Sequence, residues 1–178
     1  LMFSLIVVGA LSASFIPLFL SHYNKPLGKE KAWLFTNNAL HIILIAVGAI
    51  SLLLIIFAEP LSQLIAPGFQ DYKQVRVAEY MRVMFLAQVI LSVSMIFGSA
   101  LQSLKRFFMY ALAPIFYNAG IIFGVIFLVD WMGPIGLAWG VVLGAMLHLC
   151  SQVFGMIGTG YKYKFVIAPR KKDIKEMM

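Results

Sequence analysis

Long apolar runs separated by short polar punctuation set the pattern of this chain. Five such runs stand out, at about 1–20, 38–58, 80–103, 107–129 and 135–157. A helix rises 1.5 Å per residue, so about 20 apolar residues cross the roughly 30 Å of hydrocarbon in a bilayer. The pattern therefore predicts an all-α, polytopic transmembrane bundle of about five spans. The first run opens inside apolar sequence (Leu1-Met2-Phe3) with no positively charged leader, which reads as a truncated span and the chain as a fragment. Residues 21–35 (SHYNKPLGKEKAWLF) read as a loop. Glu59-Pro60 closes the second core, and Pro67-Gly68 marks a turn. Residues 70–79 read as a short surface helix leading into the third span. Lys105-Arg106 form a tight turn, Asp130 to Pro134 the next, and 158–178 a charged tail.

Composition agrees with the bilayer reading. The chain has 178 residues, 62% hydrophobic and 12% charged, with mean hydropathy +0.93. Soluble domains carry about twice that share of charge. A net charge of +7 would point to nucleic acid in a soluble protein. Its placement argues otherwise. If the spans alternate sides, eleven of the fourteen Lys and Arg fall on one side, in 21–35, at Lys105-Arg106 and in the tail. That asymmetry is the positive-inside pattern and puts the tail in the cytoplasm. Tyr23, Trp33, Tyr80, Tyr110, Trp131 and Tyr161 fall near span ends, as interfacial aromatics do.

Small and polar residues inside the runs carry the next layer. Gly120 and Gly124, and Gly136, Gly140 and Gly144, recur every four residues and so share helical faces. In lipid such faces let helices approach closely, and packing seams are their commonest use. Gln88 and Ser92 in the third run lie near Ser99 and Gln102 on one face. That stripe either bonds neighbouring helices or lines a hydrated cavity. Asn118 stands one turn beyond Pro114, whose ring removes a backbone hydrogen bond. The amide either satisfies a carbonyl freed by a kink or faces a cavity. Ser12 is a further polar position in the first run. His41 and His148 are solitary, which suits interfacial or interhelical hydrogen bonding better than metal ligation.

No run carries an ionisable residue at its centre, which argues against a proton relay within this segment. The sequence also lacks a Ser/His/Asp set, metal-spaced Cys/His residues and a phosphate-binding glycine loop, so neither enzyme chemistry, a metal nor a cofactor is expected. Cys150, the single cysteine, sits in an apolar run and reads as packing.

Several stretches together resemble the MurJ (MviN) lipid II flippases. GALSASFIPLF at 9–19 is similar to their second helix, and APGF at 66–69 to a signature after their third. LQSLKRFFMYALAPIFYNAGII at 101–122 resembles the passage from their fourth helix to their fifth. GLAWGVVLGAMLHLCSQ at 136–152 resembles their sixth helix, and APRKKDIKEMM at 168–178 the lead-in to their seventh. The resemblance implies helices two to six of a fourteen-helix, two-lobed fold in the multidrug/oligosaccharidyl-lipid/polysaccharide (MOP) exporter superfamily. It also implies residence in the bacterial inner membrane and contact with membrane lipids and the rest of the same polypeptide. Its cargo would be lipid II, a lipid-linked oligosaccharide, moved by alternating access through a cationic central cavity. Pro114 and Asn118 match the family's fifth helix, and Arg106 its basic turn. Where members carry a basic pair and an acidic residue ahead of the second helix, this chain has Phe3, Ser4 and Val8, so no family-essential basic residue carries over. Two other readings stay open: a superfamily exporter of another polysaccharide precursor or a small cation, and a non-transporting membrane scaffold with a basic tail.

Overall fold

A computed structural model describes residues 2–26 and 28–166, with side chains from residue 13 onward. The regular elements of the described residues are all helical, without a strand: α1 (Met2–Tyr23), α2 (Gly28–Ile56), α3 (Ala58–Ile65), α4 (Asp71–Ser103), α5 (Phe107–Phe123), a π-helical turn (Gly124–Leu128), α6 (Val129–Met132) and α7 (Ile135–Gly155). Four continuous helices among the described residues are long and apolar enough to cross a membrane: α2, α4, the rod Phe107–Met132, and α7. The chain is thus a multi-pass membrane bundle. α1 coincides with the first expected span.

Two boundaries differ from the sequence expectation. The stretch 21–35 is not a loop: α1 runs to Tyr23 and α2 begins at Gly28, which leaves a short connection between them. Lys29, Glu30, Lys31 and Ala32 are good helix formers, and they place their charges outward while Ala32 and Trp33 turn inward. α2 is therefore 29 residues long, about 43 Å at 1.5 Å per residue, and its first turns project beyond the hydrocarbon. Likewise 70–79 is no separate surface helix. It forms the first turns of α4, a single 33-residue helix. Cys150 faces outward and does not pack in the bundle.

α3 is a short connecting helix. Pro60 falls in its first turn, where no intrahelical donor is required. Arg82 of α4 ties this end together, donating to Glu59 Oε1 at 2.8 Å and to the Ile55 carbonyl at 3.4 Å. The main core lies at the opposite end of α2 and α4. There Phe15, Phe19, Trp33, Phe35, Ile96, Phe97 and Leu101 close together, with Met156 beyond α7.

α7 is the centre of the packing, lying against both α4 and α5. Its seam with α5 is made of backbone. A Cβ at Gly120 would fall on the backbone of Gly144, one at Gly124 on Gly140, and one at Gly144 on the Tyr117 carbonyl. A Cβ at Gly136 would strike the backbone of Leu128 and Val129, where the π turn ends. The wider π turn and the missing side chain at Gly136 thus occupy the same space. The helices reverse through Gly133, whose φ of 73° favours glycine, followed by Pro134.

Gly140→Ile should cost about 1–3 kcal/mol by overpacking this seam. Gly48→Ala, at a helical position with open space around it, should be neutral or stabilising by up to about 1 kcal/mol. Thermal unfolding in detergent checks both. Equal effects would show that the seam is not close-packed.

Candidate functional site

Pro114 and Asn118 lie on the exposed face of α5. Asn118 precedes Gly120 by two residues, about 200° around the helix, so it points away from the seam with α7. The helix continues through Pro114. Asn118 has no side-chain hydrogen bond among the described residues, so it does not satisfy a carbonyl freed at Pro114. On α4, Gln88 is exposed, while Ser92 is half-buried and donates to the Val89 carbonyl at 2.7 Å. Ser99 is buried on the same helix, its carbonyl accepting from Ser103 at 2.8 Å. α4 and α5 touch each other little, because α7 packs against both. The fold therefore does not join Gln88 and Ser92 to Asn118 in one contact. Ser12 lies in α1, in the part whose side chains fall outside the described residues.

A polar contact does cross between spans elsewhere. Ser94 Oγ of α4 lies 2.6 Å from His148 Nδ1 of α7. Tyr117 of α5 meets the same imidazole edge-on, with centroids 6.4 Å apart. His148 is thus an interhelical hydrogen bonder that links three helices.

The largest gathering of polar groups is at the end of the bundle that carries Lys105 and Arg106. Lys105 takes a left-handed φ of 59°, and the Arg106 amide donates back to the Leu101 carbonyl at 2.9 Å, closing α4 in a Schellman motif. The Arg106 guanidinium donates to the carbonyls of Gly155 at 2.9 Å and Ile157 at 2.6 Å. It thereby caps α7 and fixes the start of α5 against it. Beyond α7, Gly158 and Gly160 at φ 76° and 81° turn the chain back. The extended residues 161–166 then lie along the first turns of α2.

That return is held by specific bonds. Tyr161 donates its hydroxyl to Asn37 Oδ1 at 2.6 Å, and Asn37 Nδ2 donates to the Lys162 carbonyl at 3.0 Å. His41 Nε2 meets the Tyr163 hydroxyl at 2.8 Å, and Lys164 pairs with Glu30 at 2.8 Å. Trp33 packs edge-on against Tyr161. Burial and the neighbouring Tyr163 push the Tyr161 phenol up to about 12 from its ordinary 10.0. Between this strap and α2 lies a cavity of about 420 Å³, lined by Lys29, Glu30, Trp33, Asn37, Lys162 and Lys164 among others. Apart from Asn37, these residues fall in the stretches that the sequence suggests are loop and tail. The signal was present in the period-two alternation Tyr161-Lys162-Tyr163-Lys164-Phe165, an extended segment with one aromatic face. Four basic tail residues, Arg170, Lys171, Lys172 and Lys175, lie outside the described residues.

Comparison with known proteins covers the whole chain. The sequence model of one family, described as "MurJ: Lipid II flippase MurJ", matches residues 1–178. A protein of Borreliella burgdorferi named "Probable lipid II flippase MurJ" is 28% identical over 92% of this chain and 32% of its own length. One of Rhizobium meliloti with the same name is 30% identical over 96% of this chain and 33% of its own. One of Buchnera aphidicola subsp. Schizaphis graminum, again of that name, is 28% identical over 91% and 31%. The chain spans about a third of the length of these curated relatives.

Replacing Asn37 with Ala should release the strap. It removes two hydrogen bonds and leaves the Tyr161 hydroxyl and Lys162 carbonyl without their partner, a loss of about 1–3 kcal/mol. Trypsin should then cut after Lys162 and Lys164 faster than in the parent protein. Raising the pH should have the same effect. A phenol with a raised pKa holds its contribution below pH 10 and loses it as the pH climbs through about 12. Cleavage unchanged by the substitution would show that Asn37 does not hold the strap.

Proposed function

Because this chain belongs to the MurJ family, we propose that it forms helices two to six of the first lobe of a lipid II flippase in the bacterial inner membrane. The observation that carries the reading is the family match across all 178 residues. In this reading the protein is a transporter and catalyses no covalent step. The end bearing Lys105, Arg106 and the strap faces the cytoplasm, as the distribution of Lys and Arg favours. Lipid II enters from that leaflet with its diphosphate and sugars in the polar path and its tail in the bilayer. The missing helices of the same polypeptide complete the path.

Within that scheme the seam gives α5 and α7 the rigidity to move as one body. Side-chain packing can slide by rotamer changes, whereas backbone-to-backbone packing leaves little room to adjust. α4 joins the same body through Ser94 and His148. Exposed Gln88 and Asn118, half-buried Ser92, and Pro114 beside them are the candidates to face the cargo path. The alternative superfamily reading, export of another polysaccharide precursor or a cation, draws its support from Phe3, Ser4 and Val8, where relatives of the flippase type carry charge.

Depletion and rescue with the full protein tests the reading. Expression should restore lipid II to the outer leaflet. Gln88→Ala, Ser92→Ala and Asn118→Ala combined should cut that rescue about tenfold at equal membrane abundance, the equivalent of roughly 1.4 kcal/mol. Failure of the parent protein to restore outer-leaflet lipid II would refute this cargo. Full activity of the triple variant would remove these residues from the path and favour a scaffold.

A further inference from the structure

The cavity under the strap has a chemistry that the transport path does not use. Three ammonium groups, Lys29, Lys162 and Lys164, share it with one carboxylate, Glu30. Lys164 is committed to Glu30 at 2.8 Å. Lys162 also feels the Glu30 carboxylate, and the Lys29 ammonium lies 5.8 Å from the centre of the Tyr23 ring. The lining therefore carries three positive charges against one negative.

The walls are fixed. Asn37 is fully buried and uses both ends of its amide on the strap, accepting from Tyr161 and donating to the Lys162 carbonyl. Trp33 is 5% exposed, wedged between Tyr23 and Tyr161. The turn through Gly158 and Gly160 sets where Lys162 emerges. Lys29 and Lys162 are exposed beside this floor of indole and amide.

Depth selects the ligand. Tyr23, Trp33 and Tyr161 cluster at the end of the spans, the level at which Trp and Tyr concentrate at lipid headgroups. α2 continues past the hydrocarbon there, so its first turns stand among those headgroups. The phosphates of lipid headgroups lie at this depth, and basic pockets between transmembrane helices hold the anionic ones.

We propose that the cavity between α2 and residues 159–164 binds a phosphate group, with Lys29 and Lys162 as its cationic ligands. This rests on the membrane placement of the bundle and not on lipid II as cargo. A bound headgroup would bridge α2 to the strap and brace the chain where it leaves α7.

The test is lipid retention by the full protein, read by native mass spectrometry during titration with phosphatidylglycerol or phosphatidylcholine. Phosphatidylglycerol should be retained in preference. Lys29→Gln with Lys162→Gln should weaken that retention about twenty-fivefold, roughly fivefold for each basic residue. Lys29→Arg with Lys162→Arg should preserve it, and Lys105→Gln, at the same end but outside the cavity, should leave it unchanged. A parallel titration with inorganic pyrophosphate separates the sources. Competition would assign the site to soluble phosphates, and no competition to a lipid headgroup. Undiminished retention in the double Gln variant, or an equal loss in Lys105→Gln, would overturn the site. The rescue assay for lipid II reads separately, so failure here does not decide the cargo.

Discussion

The backbone contact between α5 and α7 is the constraint on which the rest of the bundle depends. In water two such helices would be driven together by burying apolar side chains. In lipid that force is absent, because the tails are as apolar as leucine, and association rests on close packing. Glycines at 120, 124, 136, 140 and 144 remove the side chains that would hold the helices apart. Once α7 is set against α5, the same face one turn beyond Gly144 presents His148 to Ser94 of α4. Its end then receives the Arg106 guanidinium. The orientation of Asn118 follows from the same contact, since turning Gly120 inward turns Asn118 out.

The charged end is organised differently. There burial of aromatics works together with directional bonds. Phe19, Trp33, Phe97 and Tyr161 meet in one cluster. Asn37 and His41 supply the polar contacts that hold the returning chain. The strap thus joins the first turns of α2 to the exit from α7.

Much of this was legible in the sequence, and the misses have physical causes. Apolar runs locate long helices because hydrocarbon tolerates little else, so α4, the rod from Phe107 and α7 each carry one of the apolar runs. Their ends are less legible, since a helix does not stop where the membrane does. Lys29 to Lys31 look like a loop by charge, yet they are good helix formers just outside the bilayer. The four-residue glycine spacing identifies a face but not its partner. The reach of Arg106 to Gly155, 49 residues away, leaves no local trace. Gln88 and Asn118 read as polar residues within spans, but whether they meet depends on α7 packing between their helices. The strap was missed because its alternation is brief and sits within a basic tail.

The account turns on whether the outward face of α5 meets water or lipid. Asn118 and Phe116 are both exposed on this helix, on different flanks. Single cysteines at these two positions, in the full protein with Cys150 replaced, can be probed with a membrane-impermeant maleimide in intact membranes. The account predicts labelling of Asn118→Cys and protection of Phe116→Cys. Protection at both positions would contradict it, since Asn118 would then lie against lipid or protein and not along a hydrated path.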